Sequence, residues 1–187
     1  LITGEDLDRA LRNQFRVKFR LGMFDADRAY PSCDVIECDA HRALALEAAR
    51  KSLVLLKNEA ETLPLDPARL RSVAVIGPNA DSRDVLLGNY CGTPSRPVTV
   101  LAGIQEALAG KCRVIYARGC ELVSLRTENC AEDGDRLAEA VSAAERADVS
   151  IVCVGLDPRI EGEAGDAYNS DASGDKLSLE LPGLQKV

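Results

Sequence analysis

The 187 residues carry 30 acidic against 23 basic side chains, for a formal net charge of -7, and are 46% hydrophobic against 28% charged. That balance suits one globular domain, or one with an appendage, able to bury a sizeable core, and it disfavours polyanions, so nucleic acid is excluded as a partner. No apolar run approaches the roughly 20 residues of a membrane-spanning helix, and "LITGEDLDRA" has neither the basic nor the apolar region of a signal peptide.

Taken in chain order, the first element is helical. Leu7, Leu11, Phe15 and Phe19 recur every fourth residue within 5–21, opposed by Arg9, Arg12, Arg16 and Lys18, which makes an amphipathic helix in need of a partner surface. "LGMFDADRAYPSCDVIEC" follows with Gly, Pro and Asp but no sustained period, the mark of a connecting strap. A second helix is expected in "DAHRALALEAARKSLVLLKN", with Asp39 capping its start and Lys and Arg toward the end, as the helix dipole prefers. Pro64 and Pro67 then break the pattern.

"SVAVIG", residues 72–77, is a short β-branched apolar run ending in Gly, the signature of a parallel strand covered on both faces. "TVLAGIQEAL" predicts a helix capped by Thr99, "CRVIYARG" the next strand, and residues 135–147 a helix with Leu137, Val141 and Ala144 on one face. "VSIVCVG" closes the series. Strands alternating with helices place the chain in the α/β class, as a three-layer sandwich with a mostly parallel sheet, whose ligands belong beyond the carboxyl ends of the strands. Three strands are few for such a sheet, and "LELPGLQKV" places Pro182 in the first turn of a helix that barely begins. The expectation is an incomplete sheet and a fragment of a longer chain. A leader could precede Leu1, so localisation stays open.

Seven cysteines at 33, 38, 91, 112, 120, 130 and 153 form no Cys-x-x-Cys pair and share the chain with a single His, which disfavours a disulfide scaffold and a zinc site. Cys153, inside an apolar strand, reads as a small core residue. "VIGPNA" lacks the glycine spacing of a dinucleotide or P-loop site. In "GNYCGTPSRPVTVLAGI", Tyr90 and Arg96 are candidates to meet a ligand, although turn-making explains the segment better. His41 has no identifiable Ser or Cys partner.

The acidic stretch "IEGEAGDAYNSDASGDK", residues 160–176, directly follows the last strand. Asn169, Asp171, Ser173, Gly174 and Glu180 match part of a calcium-binding loop, but Asn stands where its first Asp should be, and Lys176 stands where an apolar residue should be. The stretch suits acid/base work better. Glycoside hydrolysis takes one carboxylic acid to protonate the departing oxygen and a second carboxylate at the anomeric carbon. Glu161 and Glu163 are the candidates for the first, since Gly162 and Gly165 let the backbone turn beside a ligand, and neighbouring carboxylates would help hold a proton. Composition does not choose between them.

The succession "EAARKSLVLLKNEAETLPL", "VAVIGPNA", "LLGNYCGTPSRPVTVLAGI", "YARGC" and "VGLDPRIEGEAGD" leading to "GDKLSLELPGLQ" resembles glycoside hydrolase family 3, its β-xylosidases and β-glucosidases in particular. The resemblance covers nearly the whole chain in order. It implies a (β/α)8 barrel upstream that supplies an Asp nucleophile, and an α/β sandwich that supplies the acid/base Glu. Residues 1–25 would then be the last helix of that barrel, 26–47 the linker and 48–187 the first part of the sandwich, packed on its own barrel. "EGE" followed by "GDK" points to Glu163 as the acid/base, with Glu161 second; Lys176 stands where the family commonly has Arg. The implied activity is exo-acting, retaining hydrolysis of O-glycosyl bonds in β-xylosides, β-glucosides or related oligosaccharides and aryl or alkyl glycosides, with no metal or organic cofactor. The alternative is a noncatalytic carbohydrate-binding or structural module.

Overall fold

The computed structural model describes residues 2–27, 29–88, 90, 92–122, 136–163 and 175–186. Two compact units make up the chain, Leu1–Val54 and Leu55–Val187.

In the first unit, helix α1 spans Gly4–Arg20. Its start is a capping box: Thr3 Oγ1 accepts the Asp6 N–H at 3.2 Å, and Asp6 Oδ2 accepts the Thr3 N–H at 3.1 Å. Hydrogen bonds from Thr3 hold the Asp6 carboxyl below the usual carboxylate range. At the other end Phe24 folds back over Phe19, with ring centroids 4.6 Å apart. The expected stripe of Leu7, Leu11, Phe15 and Phe19 remains exposed. Helix α2, Asp39–Ser52, corrects the expected cap: Cys38 occupies that position with no side-chain hydrogen bond, and Asp39 is the first helical residue, where its charge still faces the positive end of the helix. The helix also stops earlier than the composition suggests, as Leu53 turns extended (φ -71°, ψ 127°). Four consecutive apolar residues, Leu53 to Leu56, would point around most of a helix circumference, so no single helical face can bury them.

The second unit holds the α/β sheet. Strand β1 is Ser72–Ile76, helix α3 Val100–Leu108, strand β2 Arg113–Ala117, helix α4 Leu137–Glu145 and strand β3 Val149–Val152. The strands are parallel, in the order β2-β1-β3, with Val73 opposite Val114 on one side and Val149 on the other. Period-two alternation splits β1 between two cores. Val73 and Val75 pack with Leu101, Ile104 and Leu108 of α3, while Ala74 and Ile76 pack with Ala140, Ala143 and Ala144 of α4. The helices therefore lie on opposite faces, as a shared crossover hand requires when the chain steps from β1 to β2 and then back past β1 to β3. This is the expected three-layer sandwich. β1 is its wholly covered strand, with Val73, Ala74 and Val75 at 0% exposure, which explains its unbroken apolar sequence.

Thr99 caps α3 as the sequence indicates. Its Oγ1 accepts the Ala102 N–H at 3.2 Å and donates to Asp81 Oδ1 at 2.8 Å, tying the loop after β1 to the helix start. Thr99→Ala removes both bonds at a buried position and is expected to cost about 1–2 kcal/mol, read as a lower urea midpoint at unchanged slope, with Thr99→Ser keeping most of the stability.

At the amino-terminal rim of the sheet, the Asp148 carboxylate accepts the N–H groups of Arg71 at 2.7 Å and Ser72 at 2.9 Å. These bonds hold its pKa below the ordinary value. A depressed carboxylate pKa favours the folded state above the unfolded pKa of about 3.9, and the advantage is lost as pH falls through the folded value. Urea midpoints of the parent and Asp148→Asn proteins should therefore differ by a constant amount above about pH 5 and converge below about pH 4.

Candidate functional site

In a 2-1-3 strand order, the crevice between the carboxyl ends of β1 and β3 is the topological switch point, where α/β sheets receive ligands. The residues that shape it here come from three segments.

Gly77 ends β1. Its N–H donates to Ala117 O of β2 at 3.1 Å, and the Cys153 N–H donates to Ile76 O at 2.6 Å, so the three strands converge at this point. The φ of Gly77 is +129°, and a Cβ there would sit 2.0 Å from the Cys153 carbonyl oxygen. The glycine that sequence reading weighed as a phosphate-loop feature is thus a packing requirement. Two residues on, buried Asn79 donates from Nδ2 to Leu156 O at 3.4 Å, and a Cβ on Gly155 would lie 3.2 Å from that same nitrogen.

The chain leaving β3 is shaped by its own side chains. Gln185 clasps Gly155 from 30 residues away: Gly155 N–H donates to Gln185 Oε1 at 2.6 Å and Gln185 Nε2 donates to Gly155 O at 3.0 Å. Next comes Asp157, whose side chain is 0% exposed. Its Oδ1 accepts the Arg159 N–H at 2.9 Å, and its Oδ2 accepts Arg159 Nε at 2.8 Å and Nη2 at 2.6 Å. Those hydrogen bonds raise the Arg159 pKa, so its charge is permanent. The Asp157 carbonyl in turn accepts the N–H groups of Ile160 at 2.9 Å and Glu161 at 3.1 Å. The result is a tight turn plugged by the buried Ile160 side chain.

This turn delivers the two candidate carboxylates to the surface. Glu161 Oε2 accepts the Lys176 N–H at 2.8 Å, and Lys176 Nζ donates to Glu180 O at 2.8 Å, so Glu161 joins the two sides of the acidic segment. Glu163 is exposed, and no hydrogen bond to a described residue engages its carboxylate. The structure thus brings Glu161 and Glu163 together on one rim and gives them different surroundings. Asp157 and Gln185 escaped sequence reading. An Asp followed two residues later by Arg just after a strand was a usable signal for the first, whereas nothing local marks the second.

The remaining candidates fall elsewhere. Asn169, Asp171, Ser173 and Gly174 lie outside the described residues, as do Cys91 and Cys130. Among the described residues no group of three or more His, Cys, Asp or Glu side chains is placed to hold a metal. His41, Arg96 and Tyr90 are exposed, Tyr90 in a left-handed backbone conformation at φ 66°. Burial pushes the Cys120 and Cys153 thiols up, away from the reactive thiolate. At the end of β2, Glu121 bridges Arg118 at 2.9 Å and Arg136 at 3.0 Å, fixing the "YARGC" corner. An apolar cleft of about 280 Å³ beside α4, lined by Ile76, Leu137, Val141, Val152 and Val154 among others, has no carboxylate in its wall.

Residues 53–186 match the profile of the glycosyl hydrolase family 3 C-terminal domain. Among characterised sequences, a β-xylosidase of Formosa agariphila is 36% identical over 96% of this chain and 24% of its own length, and β-D-xylosidase 1 of Arabidopsis thaliana is 39% identical over 100% of this chain and 22% of its own. A solved family 3 exo-β-xylosidase, in complex with a xylobiose aziridine activity-based probe, superposes with a TM-score of 0.73 at 32% identity, over 97% of this chain and 21% of that one. The chain therefore spans about a quarter of the length of the relatives it matches. Fold, profile and relatives agree: the chain belongs to glycoside hydrolase family 3 and carries residues of that family's C-terminal α/β domain.

Proposed function

We propose that this domain serves an exo-acting, retaining β-glycosidase and that Glu163 is its acid/base residue. The observation that supports the assignment is the contrast at the β3 rim: Glu161 is engaged by the Lys176 backbone, while Glu163, two residues on, is exposed and open to a substrate. In the first half-reaction, Glu163 as the acid gives its proton to the glycosidic oxygen. The C–O bond to the leaving group breaks as a carboxylate attacks the anomeric carbon. In the second, Glu163 as the base takes a proton from water, whose oxygen displaces that carboxylate and restores the starting configuration. The attacking carboxylate is the Asp of the family's (β/α)8 barrel, on which the 48–187 region would pack, with residues 1–25 as the barrel's last helix and 26–47 as the linker. β-Xylosides and β-glucosides are the substrates to try first.

The test is hydrolysis by the full-length enzyme of a panel of 4-nitrophenyl glycosides, β-xyloside, β-glucoside and α-arabinofuranoside, with the anomer released followed by proton NMR. Retained configuration on a β-glycoside is the expected result. Inversion would replace the double displacement with a single displacement and remove the proposal as stated, and no turnover of any member would leave a noncatalytic module.

A further inference from the structure

Asp157 is a buried carboxylate paired with Arg159, whose side chain is partly exposed. Sequestering a carboxylate is costly unless several hydrogen bonds compensate it, and Asp157 has three on its side chain, all from Arg159. The partners are two residues apart, so the pair's hydrogen bonds lie within one strand-end turn, while the guanidinium also feels the charges of Asp84 and Glu121. What the pair fixes is the shape of the turn itself. Both oxygens are used differently: Oδ1 holds the Arg159 backbone, while Oδ2 takes two guanidinium N–H groups, leaving the peptide and the side chain of Arg159 little freedom. With the turn set, the Asp157 carbonyl lies where it receives the Glu161 N–H, and the backbone that carries Glu163 departs from that point.

We infer that Asp157 is a positioning residue for proton transfer: through Arg159 and the Glu161 backbone it sets where the Glu163 carboxyl stands relative to the glycosidic oxygen. This rests on the reading of Glu163 as the acid/base. Misplacing a catalytic group by about 1 Å can cost on the order of a hundredfold, so a small relaxation of this turn is enough to matter.

The experiment compares kcat/KM for a methyl glycoside, whose departure needs a proton, with that for a 2,4-dinitrophenyl glycoside, whose departure does not, in the full-length enzyme. Asp157→Asn keeps the shape and an acceptor for the Arg159 N–H but removes the charge beneath the guanidinium. It should lower methyl glycoside turnover about tenfold to a hundredfold and change dinitrophenyl glycoside turnover by less than about threefold. Arg159→Lys, which keeps the charge and loses the planar fork, should show the same selectivity at smaller size and covers the case in which Asp157→Asn does not fold. Equal losses on both substrates would mean a purely structural role, and unchanged values would mean none; either overturns the inference. Glu163→Gln in the same assay separates the two levels. If it is leaving-group selective and the Asp157 and Arg159 variants are not, positioning alone fails; if it is not selective, the acid/base assignment fails and takes this inference with it.

Discussion

Glu163→Gln is expected to lower kcat/KM for alkyl glycosides by about two to four orders of magnitude while leaving kcat/KM for a dinitrophenyl glycoside within a few-fold of the parent. The asymmetry follows from where the proton is needed. An alkoxide leaves poorly unless protonated, whereas a dinitrophenolate leaves unaided, and kcat/KM for a fast-leaving substrate reports only the step up to glycosyl transfer. The second half-reaction also loses its base, so kcat falls on both substrates. Azide, a nucleophile with no proton to surrender, should restore it on the dinitrophenyl glycoside, whose first half-reaction needs no acid, and not on the alkyl glycoside, where that first step stays limiting. Glu161→Gln serves as the control, because a glutamine oxygen still accepts the Lys176 N–H and the segment remains joined. A change of less than about threefold is expected there. If Glu161→Gln instead shows the leaving-group asymmetry and Glu163→Gln does not, the acid/base assignment moves by two residues.

The largest effect on stability is expected at Gly77. An alanine there places its Cβ 2.0 Å from the Cys153 carbonyl oxygen, at a φ of +129° that L residues rarely adopt. The clash is with backbone, not with the end of a flexible side chain, so no rotamer relieves it. Relief requires β1 and β3 to part at the very rung where Cys153 N–H meets Ile76 O. Strain of this kind costs on the order of 3–5 kcal/mol, a large share of what an ordinary domain has to lose. Gly77→Ala should therefore express poorly or melt many degrees below the parent. A variant that melts within about 2 °C of the parent, a difference too small for a lost strand contact, would show that the β1–β3 junction yields to a side chain at little cost.

Much of this fold is legible in the sequence for physical reasons. The strands announce themselves because β1 is covered on both faces, and a strand so placed must be apolar at every position; "SVAVI" satisfies that with no helical alternative of comparable length. Thr99 was legible because a cap is a local device, satisfied by the third residue along. Asp39 misled for the same reason. Its chemistry suits a cap, but an acidic residue suits the first turn as well, and only the backbone angles distinguish the two. The end of α2 was missed because Ala and Leu favour helix residue by residue, whereas the choice at Leu53 concerns which direction four apolar side chains face together. At the candidate site, the acidic residues were visible as composition and their differing surroundings were not. Whether a carboxylate is tied or open depends on bonds such as Glu161 to Lys176, and these carry no periodic trace in the sequence.

The Gln185 clasp has a further consequence. An amide side chain that both donates to and accepts from the backbone of one residue imitates a neighbouring strand, so the chain leaving β3 is held at Gly155 by a partner borrowed from far along the sequence. Gly155 is anchored in this way and Glu161 is fastened to Lys176, so the described residues on either side of the interval 164–174 carry hydrogen bonds of their own. Both flanks of that interval are thus held by side chains that lie outside it, Gln185 on one side and Glu161 on the other.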